Sequence, residues 1–132
     1  TDHTFTLDWS RLHAKNETIM FQMALPYIIY NGLQHLYWYR GIESLLKLGL
    51  KPPLNLWIEL PIDYEKSIFI EGEVGVYCAV ARKDKVGRWF LVYVTSVPKV
   101  TTVFWDFLSE KSHQYVATIH EDIEQSLCGR NV

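Results

Sequence analysis

Two uninterrupted apolar runs, Val76-Tyr77-Cys78-Ala79-Val80-Ala81 and Trp89-Phe90-Leu91-Val92-Tyr93-Val94, lie on either side of the short charged loop Lys83-Asp84-Lys85-Val86-Gly87. A strand with one wet face alternates polar and apolar residues, whereas these runs are apolar on both faces, so they belong in the middle of a sheet, covered on each side. The loop between them is short enough to make an antiparallel hairpin, and Gly87 can take a positive φ there at little cost. Further short β-branched and aromatic runs predict strands over 67–70, 101–105 and 115–120, with Ser96-Val97-Pro98-Lys99 as a connection and 124–132 as a frayed polar tail. One cover for the central strands is expected to be the second sheet of a sandwich, the other the helices or a neighbour. Gly72 and Gly75 bracket a turn; no helix follows them, so a phosphate cradle is not supported.

The first third has a different texture. Ile19, Met20, Met23, Ala24, Tyr27, Ile28, Leu33, Leu36 and Tyr37 recur at helical rather than alternating spacing, predicting one long helix over 16–38. Asn16 or Thr18 can cap its first turn, Pro26 should kink or break it, and Gly32 is a second weak point. Two more turns are expected over 42–48, with Gly49 as terminator and Pro52-Pro53 preventing continuation. Helices and strands are thus segregated along the chain, which predicts an α+β fold: a helical segment over 1–57, then a small antiparallel β-sandwich or sheet domain over 58–132.

Charge and composition narrow the function classes. Thirteen basic and fifteen acidic residues leave a net charge of −2 with no basic cluster, so the electrostatic footprint for nucleic acid is missing. No run approaches the length of a membrane span. The chain opens at Thr1 without an initiator methionine or signal-like lead and is expected to be a fragment. Cys78 and Cys128 have no metal-type spacing and are expected to stay unpaired. His3, His13, His35, His113 and His120 lack zinc-site spacing, so no metal and no cofactor is expected in this chain.

Glycoside hydrolysis requires two carboxyl groups facing one another across a sugar. Asp2 with Asp8, Asp63 with Glu65, Glu71 with Glu73, and Glu121 with Asp122 are nominated by spacing alone, and each stands where a solvated surface carboxylate is the ordinary outcome, so none is assigned a catalytic role. The aromatic residues are more informative. Trp89, Trp105, Tyr77 and Tyr93 would make a carbohydrate-binding platform if they shared one exposed sheet face, because sugars stack their C–H faces on aromatic rings; buried inside a sandwich they would be core. Tyr27, Tyr30, Tyr37, Trp38 and Tyr39 crowd the helical part, and such a patch calls for a partner surface, either the rest of a larger fold or a second copy of the chain.

Two stretches carry a family resemblance. Thr18-Ile19-Met20-Phe21-Gln22-Met23-Ala24-Leu25 with Tyr30 and Leu33-Gln34 resembles the T-x-x-x-Q-x-A-L…[FY]-x-x-x-L-Q helix that follows the last barrel strand in glycoside hydrolase family 97, the final Leu-Gln arriving one residue early. Phe69-Ile70-Glu71-Gly72-Glu73-Val74-Gly75-Val76-Tyr77, Ala81-Arg82-Lys83 and Arg88-Trp89-Phe90 resemble the F-L-x-G-x-x-G-x-Y…A-R-R…W-Y segment that opens the family's C-terminal β domain. The chain departs from the family at Asn31-Gly32, at Asp63-Tyr64-Glu65-Lys66 and in the 2–6 loop, where Asp2 and Thr4 are retained. The resemblance implies the end of a (β/α)8 barrel followed by a β domain with a structural or oligomerisation role. It implies a parent α-glucosidase or α-galactosidase, periplasmic or secreted, whose catalytic carboxylates and calcium ligands lie elsewhere. The reading that competes with it is a free-standing carbohydrate- or protein-binding β module.

Overall fold

The computed structural model describes residues 3–6, 17–29, 31–37, 41–47, 54–108, 114–123 and 126–131. In chain order the elements are β1 (His3–Thr6), α1 (Ile19–Ile28), β2 (Gln34–Tyr37), α2 (Gly41–Lys47), α3 (Asn55–Ile58), β3 (Tyr64–Glu73), β4 (Tyr77–Asp84), β5 (Trp89–Thr95), a 3-10 turn (Trp105–Phe107), β6 (His120–Ile123) and β7 (Ser126–Asn131). The class is mixed α+β, centred on the antiparallel sheet β3-β4-β5. Asp2, Asp8, His13, Asn16, Tyr30, Trp38, Tyr39, Gly49, Pro52, Pro53 and His113, named from the sequence above, fall outside the described residues.

β4 is the central strand, as expected of a run apolar on both faces, but β5, for which the same place was expected, stands at the sheet edge among the described residues, its faces covered by packing and not by a further strand. β4 pairs with β3 on one side and, in unbroken register from Tyr77↔Thr95 to Lys83↔Trp89, with β5 on the other. The loop between them is a tight turn in which the Gly87 amide donates to the Asp84 carbonyl at 3.2 Å, and Gly87 takes φ 93°. That is the left-handed conformation a three-residue hairpin loop needs at this position. The preceding turn closes with the Val76 amide on the Glu73 carbonyl at 2.9 Å, with Gly75 at φ 78°.

α1 lies across one face of the sheet. Its N-terminal turn is capped by Thr18, whose hydroxyl accepts from the Phe21 amide at 3.0 Å. Its C-terminal turn meets Arg82, which is 7% exposed and donates to the Ile28 carbonyl at 2.5 Å. The buried face of the helix holds Ile19, Met20, Met23 and Tyr27. Tyr27 packs its ring 5.1 Å from Phe90 and donates its hydroxyl to the Leu56 carbonyl at 2.5 Å. Met23 accepts a hydrogen bond from the Trp57 indole, and Phe5 meets the same indole edge-on at 5.4 Å, which seats β1 and α3 beside the helix.

Several expectations are corrected. The helix expected to run to residue 38 ends at Ile28, two residues beyond Pro26, and Gln34–Tyr37 instead forms a strand parallel to β1. Pro26 costs the turn before it one donor without stopping the helix, which carries on to the Ile29 amide on the Leu25 carbonyl at 2.8 Å and ends there because Ile29 turns extended, at φ −81° and ψ 106°. Residues 101–104 and 114–119 are irregular rather than extended in a sheet, and the expected tail over 124–132 contains β7, paired with β6. Among the described residues, the covers on β3-β4-β5 are α1 on one face and the 96–108 loop on the other, rather than the second sheet of a sandwich.

Asp84 anchors the hairpin. It is 3% exposed and accepts from the Val86 amide at 3.0 Å, the Arg88 amide at 2.8 Å and the Arg88 Nε at 2.7 Å. Burial opposes its charge, but the Arg88 hydrogen bonds and charge, with the Val86 amide, outweigh that and hold the carboxyl below its ordinary value of 3.8. A carboxyl held low in the fold stabilises it fully above the unfolded value, and that contribution disappears as pH falls through the lower folded value. Asp84→Asn is therefore expected to cost about 2 kcal/mol in urea denaturation at pH 7, with the gap to wild type closing below about pH 4.

Candidate functional site

The face of the sheet opposite α1 collects the aromatic residues nominated from the sequence. Because the β4–β5 register is unbroken, Tyr77, Ala79, Ala81 and Lys83 stand on one face with Trp89, Leu91, Tyr93 and Thr95. Tyr77 and Tyr93 are neighbours there, their ring centres 6.2 Å apart and inclined at 58°. Trp89 lies at the other end of β5 against Phe107 at 4.9 Å, and Phe107 in turn meets Trp105 at 5.7 Å. Trp105 thus joins the same cluster through Phe107 rather than by touching Trp89 itself.

The loop that follows β5 determines how much of this face is open. The Lys99 ammonium sits 3.5 Å from the centre of the Tyr77 ring, and the Tyr93 hydroxyl donates to the Lys99 carbonyl at 3.0 Å. The Tyr77 side chain, then Glu71 and Glu73, hold the Lys99 ammonium above its ordinary value. One ring face of Tyr77 and one of Trp89 are therefore occupied by the protein's own groups. Trp105 is 56% exposed, Phe104 beside it 75%, and Leu91 between the two aromatic ends 39%. Beneath them Ala79 and Ala81 are fully buried, small residues that let the large rings close over the strand.

The nominated carboxylates do not assemble across a cleft. Asp63 pairs with Lys85 at 2.6 Å and Glu65 with Lys83 at 3.0 Å, both along the β3–β4 side of the hairpin. Asp122 accepts from the Thr18 hydroxyl at 2.6 Å and from the Met20 amide, at the N-terminus of α1; desolvation raises its carboxyl above the ordinary value despite those bonds. Glu71 and Glu73 favour the charged form of Lys99 through their own charges, and Glu121 is exposed on β6. Among the described residues no group of three or more His, Cys, Asp and Glu side chains gathers as metal ligands would, and Cys78 is a free thiol. Among these residues, too, no helix is long and apolar enough to cross a membrane.

A second feature is a shallow apolar groove of about 420 Å³ where the N-terminal half of α1 meets the β3–β4 turn. Phe21, Phe69, Val74, Val76 and Val94 line it, and Phe69 is 67% exposed. Lys99 and Phe107, which cover the aromatic face, were not identified from the sequence. They come from irregular chain, and no periodicity marks which residue of such a segment will fold back.

If Trp89 supports the fold and Trp105 is a surface residue, the two respond differently to truncation. Trp89→Ala is expected to lower stability by about 2 kcal/mol and Trp105→Ala by no more than about 0.5 kcal/mol, read from urea midpoints at constant m-value.

A family model described as glycosyl-hydrolase 97 C-terminal, oligomerisation, matches residues 63–130, just over half of the chain. No curated protein and no solved structure matches.

Proposed function

Because the chain belongs to the glycosyl-hydrolase 97 C-terminal oligomerisation family, we propose that it is a non-catalytic assembly piece of an α-glycosidase, α-glucosidase- or α-galactosidase-like. The observation that carries this reading is the match over 63–130, which begins one residue before β3 and ends inside β7. In this reading 1–57 is the helical end of a catalytic barrel, 58–132 the C-terminal β domain, and α1 the helix that follows the last barrel strand. The partners are the remainder of that barrel and a second copy of the chain. Carbohydrate and calcium are bound by other segments of the parent enzyme, which is periplasmic or secreted. The fate of the nominated carboxylates supports a structural role, since Asp63 and Glu65 are committed to lysine pairs, Asp122 to a helix terminus and Glu71 and Glu73 to the charge of Lys99, while Glu121 is exposed on β6.

An antibody raised against this chain is expected to detect, in extract of the source cells, a polypeptide several times heavier than 15.5 kDa. That polypeptide should cleave aryl α-glucosides or α-galactosides, while the isolated chain leaves them intact. A band at the mass of the chain itself, or hydrolysis by the isolated chain, would sink this reading.

A second reading, a carbohydrate-binding module, is favoured by one observation: Tyr77, Tyr93, Trp89 and Trp105 gather on one side of the sheet, with Trp105 open to solvent. On that reading maltotriose quenches or shifts the tryptophan fluorescence of the chain, and Trp105→Ala abolishes the change. No response at about 10 mM sugar, well above a weak millimolar Kd, rules it out.

A further inference from the structure

The two edges of the central sheet are built differently. β3 carries Glu65, Lys66, Glu71 and Glu73, and its register with β4 breaks twice, between Tyr64 and Lys66 and between Phe69 and Glu71. Bulges and charges of this kind are how a sheet edge is kept from pairing with another chain. β5 has neither. Its seven residues, Trp-Phe-Leu-Val-Tyr-Val-Thr, contain no charge, glycine or proline, and its register is regular throughout.

The hydrogen-bond phase shows which backbone groups β5 leaves outward. The Asp84 amide donates to the Arg88 carbonyl at 3.0 Å and the Ser96 amide to the Val76 carbonyl at 2.8 Å, so 84/88 and 76/96 are hydrogen-bonded pairs. In an antiparallel ladder such pairs alternate, which makes 82/90, 80/92 and 78/94 the others. Phe90, Val92 and Val94 therefore spend their amides and carbonyls on β4. Those of Trp89, Leu91, Tyr93 and Thr95 point away from it, and no described residue pairs with them through the backbone.

We propose that β5 pairs with β5 of a second copy, antiparallel about a two-fold axis at Val92, so that two three-stranded sheets become one of six strands. The inference rests on the assembly role argued above and identifies the surface that performs it. The register follows from the outward set. Placing Trp89 opposite Thr95 of the second copy and Leu91 opposite Tyr93 uses every outward amide and carbonyl of the strand, and a closed two-fold pairing leaves the β5 edge satisfied in both copies. A second copy is the occupant that fits, because the edge presents no charge to select a different partner, and pairing an uncharged strand with itself brings no like charges together. The same pairing sets the 39% exposed Leu91 beside a Tyr93 ring across the seam, a favourable cross-strand pair.

The test uses the natural full-length polypeptide that carries this chain, with mass measured by sedimentation and amide exchange read at single residues. In the assembled protein the Leu91 and Tyr93 amides are expected to be protected along with Phe90 and Val92. Leu91→Pro removes one outward donor without touching the β4 ladder. It should raise the dissociation constant at least about tenfold, equivalent to 1.4 kcal/mol, and free the Tyr93 amide. Leu91→Lys, which keeps the backbone intact and places a charge near the seam, should weaken assembly in the same direction and covers the case in which proline disturbs the hairpin. An oligomer in which the Leu91 and Tyr93 amides exchange freely, or in which both variants assemble normally, overturns the edge pairing while leaving the assembly role standing. A wild-type monomer at micromolar concentration overturns both.

Discussion

The Arg82 guanidinium, buried in the central strand and bonded to the Ile28 carbonyl, is the contact on which the arrangement of the molecule depends. A cation at a helix C-terminus meets carbonyls that have no partner within the helix, so this one bond both satisfies the end of α1 and fixes it to the sheet. Tyr64 lies under the same guanidinium at 5.0 Å and Phe90 is 6.5 Å from Tyr64, so the charge enters the interior with an aromatic lining rather than bare. At the other end of the helix the Asp122 carboxylate accepts from Thr18 and Met20. The helix dipole is thus complemented at both ends by residues from the second half of the chain, 54 and 104 positions away from their partners.

This placement accounts for the asymmetry of the sheet. With α1 on one face, Val80, Val92 and Phe90 gain a cover of apolar helix. On the other face, among the described residues, no helix packs, and the chain leaving β5 folds back over it, using Lys99 at one end and Phe107 at the other. The result is an aromatic face closed at its ends and open along Leu91 and Trp105, beside an edge strand free of charge. What stands here is apolar surface and, among the described residues, strand backbone without a backbone partner, the chemistry of association.

The hairpin was legible from the sequence because its information is local. Two apolar runs of strand length, a five-residue charged interval and one glycine determine pairing, phase and turn, and that phase alone places Tyr77, Tyr93 and Trp89 on one face. The family resemblance was legible for the same reason, since its Gly72 and Gly75 serve the end of β3 and the β3–β4 turn, and its Arg82 and Trp89 stand on the two strands of the hairpin. The helix length was not. Residues 33–37 keep the apolar spacing of α1, yet Gln34–Tyr37 pairs with His3–Thr6, a partner whose availability no local pattern reveals. The 101–105 segment failed in the opposite sense: Thr-Thr-Val-Phe-Trp has strand propensity but ends in a 3-10 turn that seats Phe107 on Trp89, a ring contact that local propensity does not reveal.

By itself the sequence determined the α+β class and the β4–β5 antiparallel hairpin with its glycine turn, and it narrowed the N-cap of α1 to Asn16 or Thr18, all of them consequences of residues within a few positions of one another. The tertiary structure decided where α1 lies, which face of the sheet stays open and which backbone groups are left unpaired. Those outcomes depend on hydrogen bonds and ring contacts between residues tens of positions apart, and whether such groups meet is set by the path of the folded chain rather than by their spacing along it.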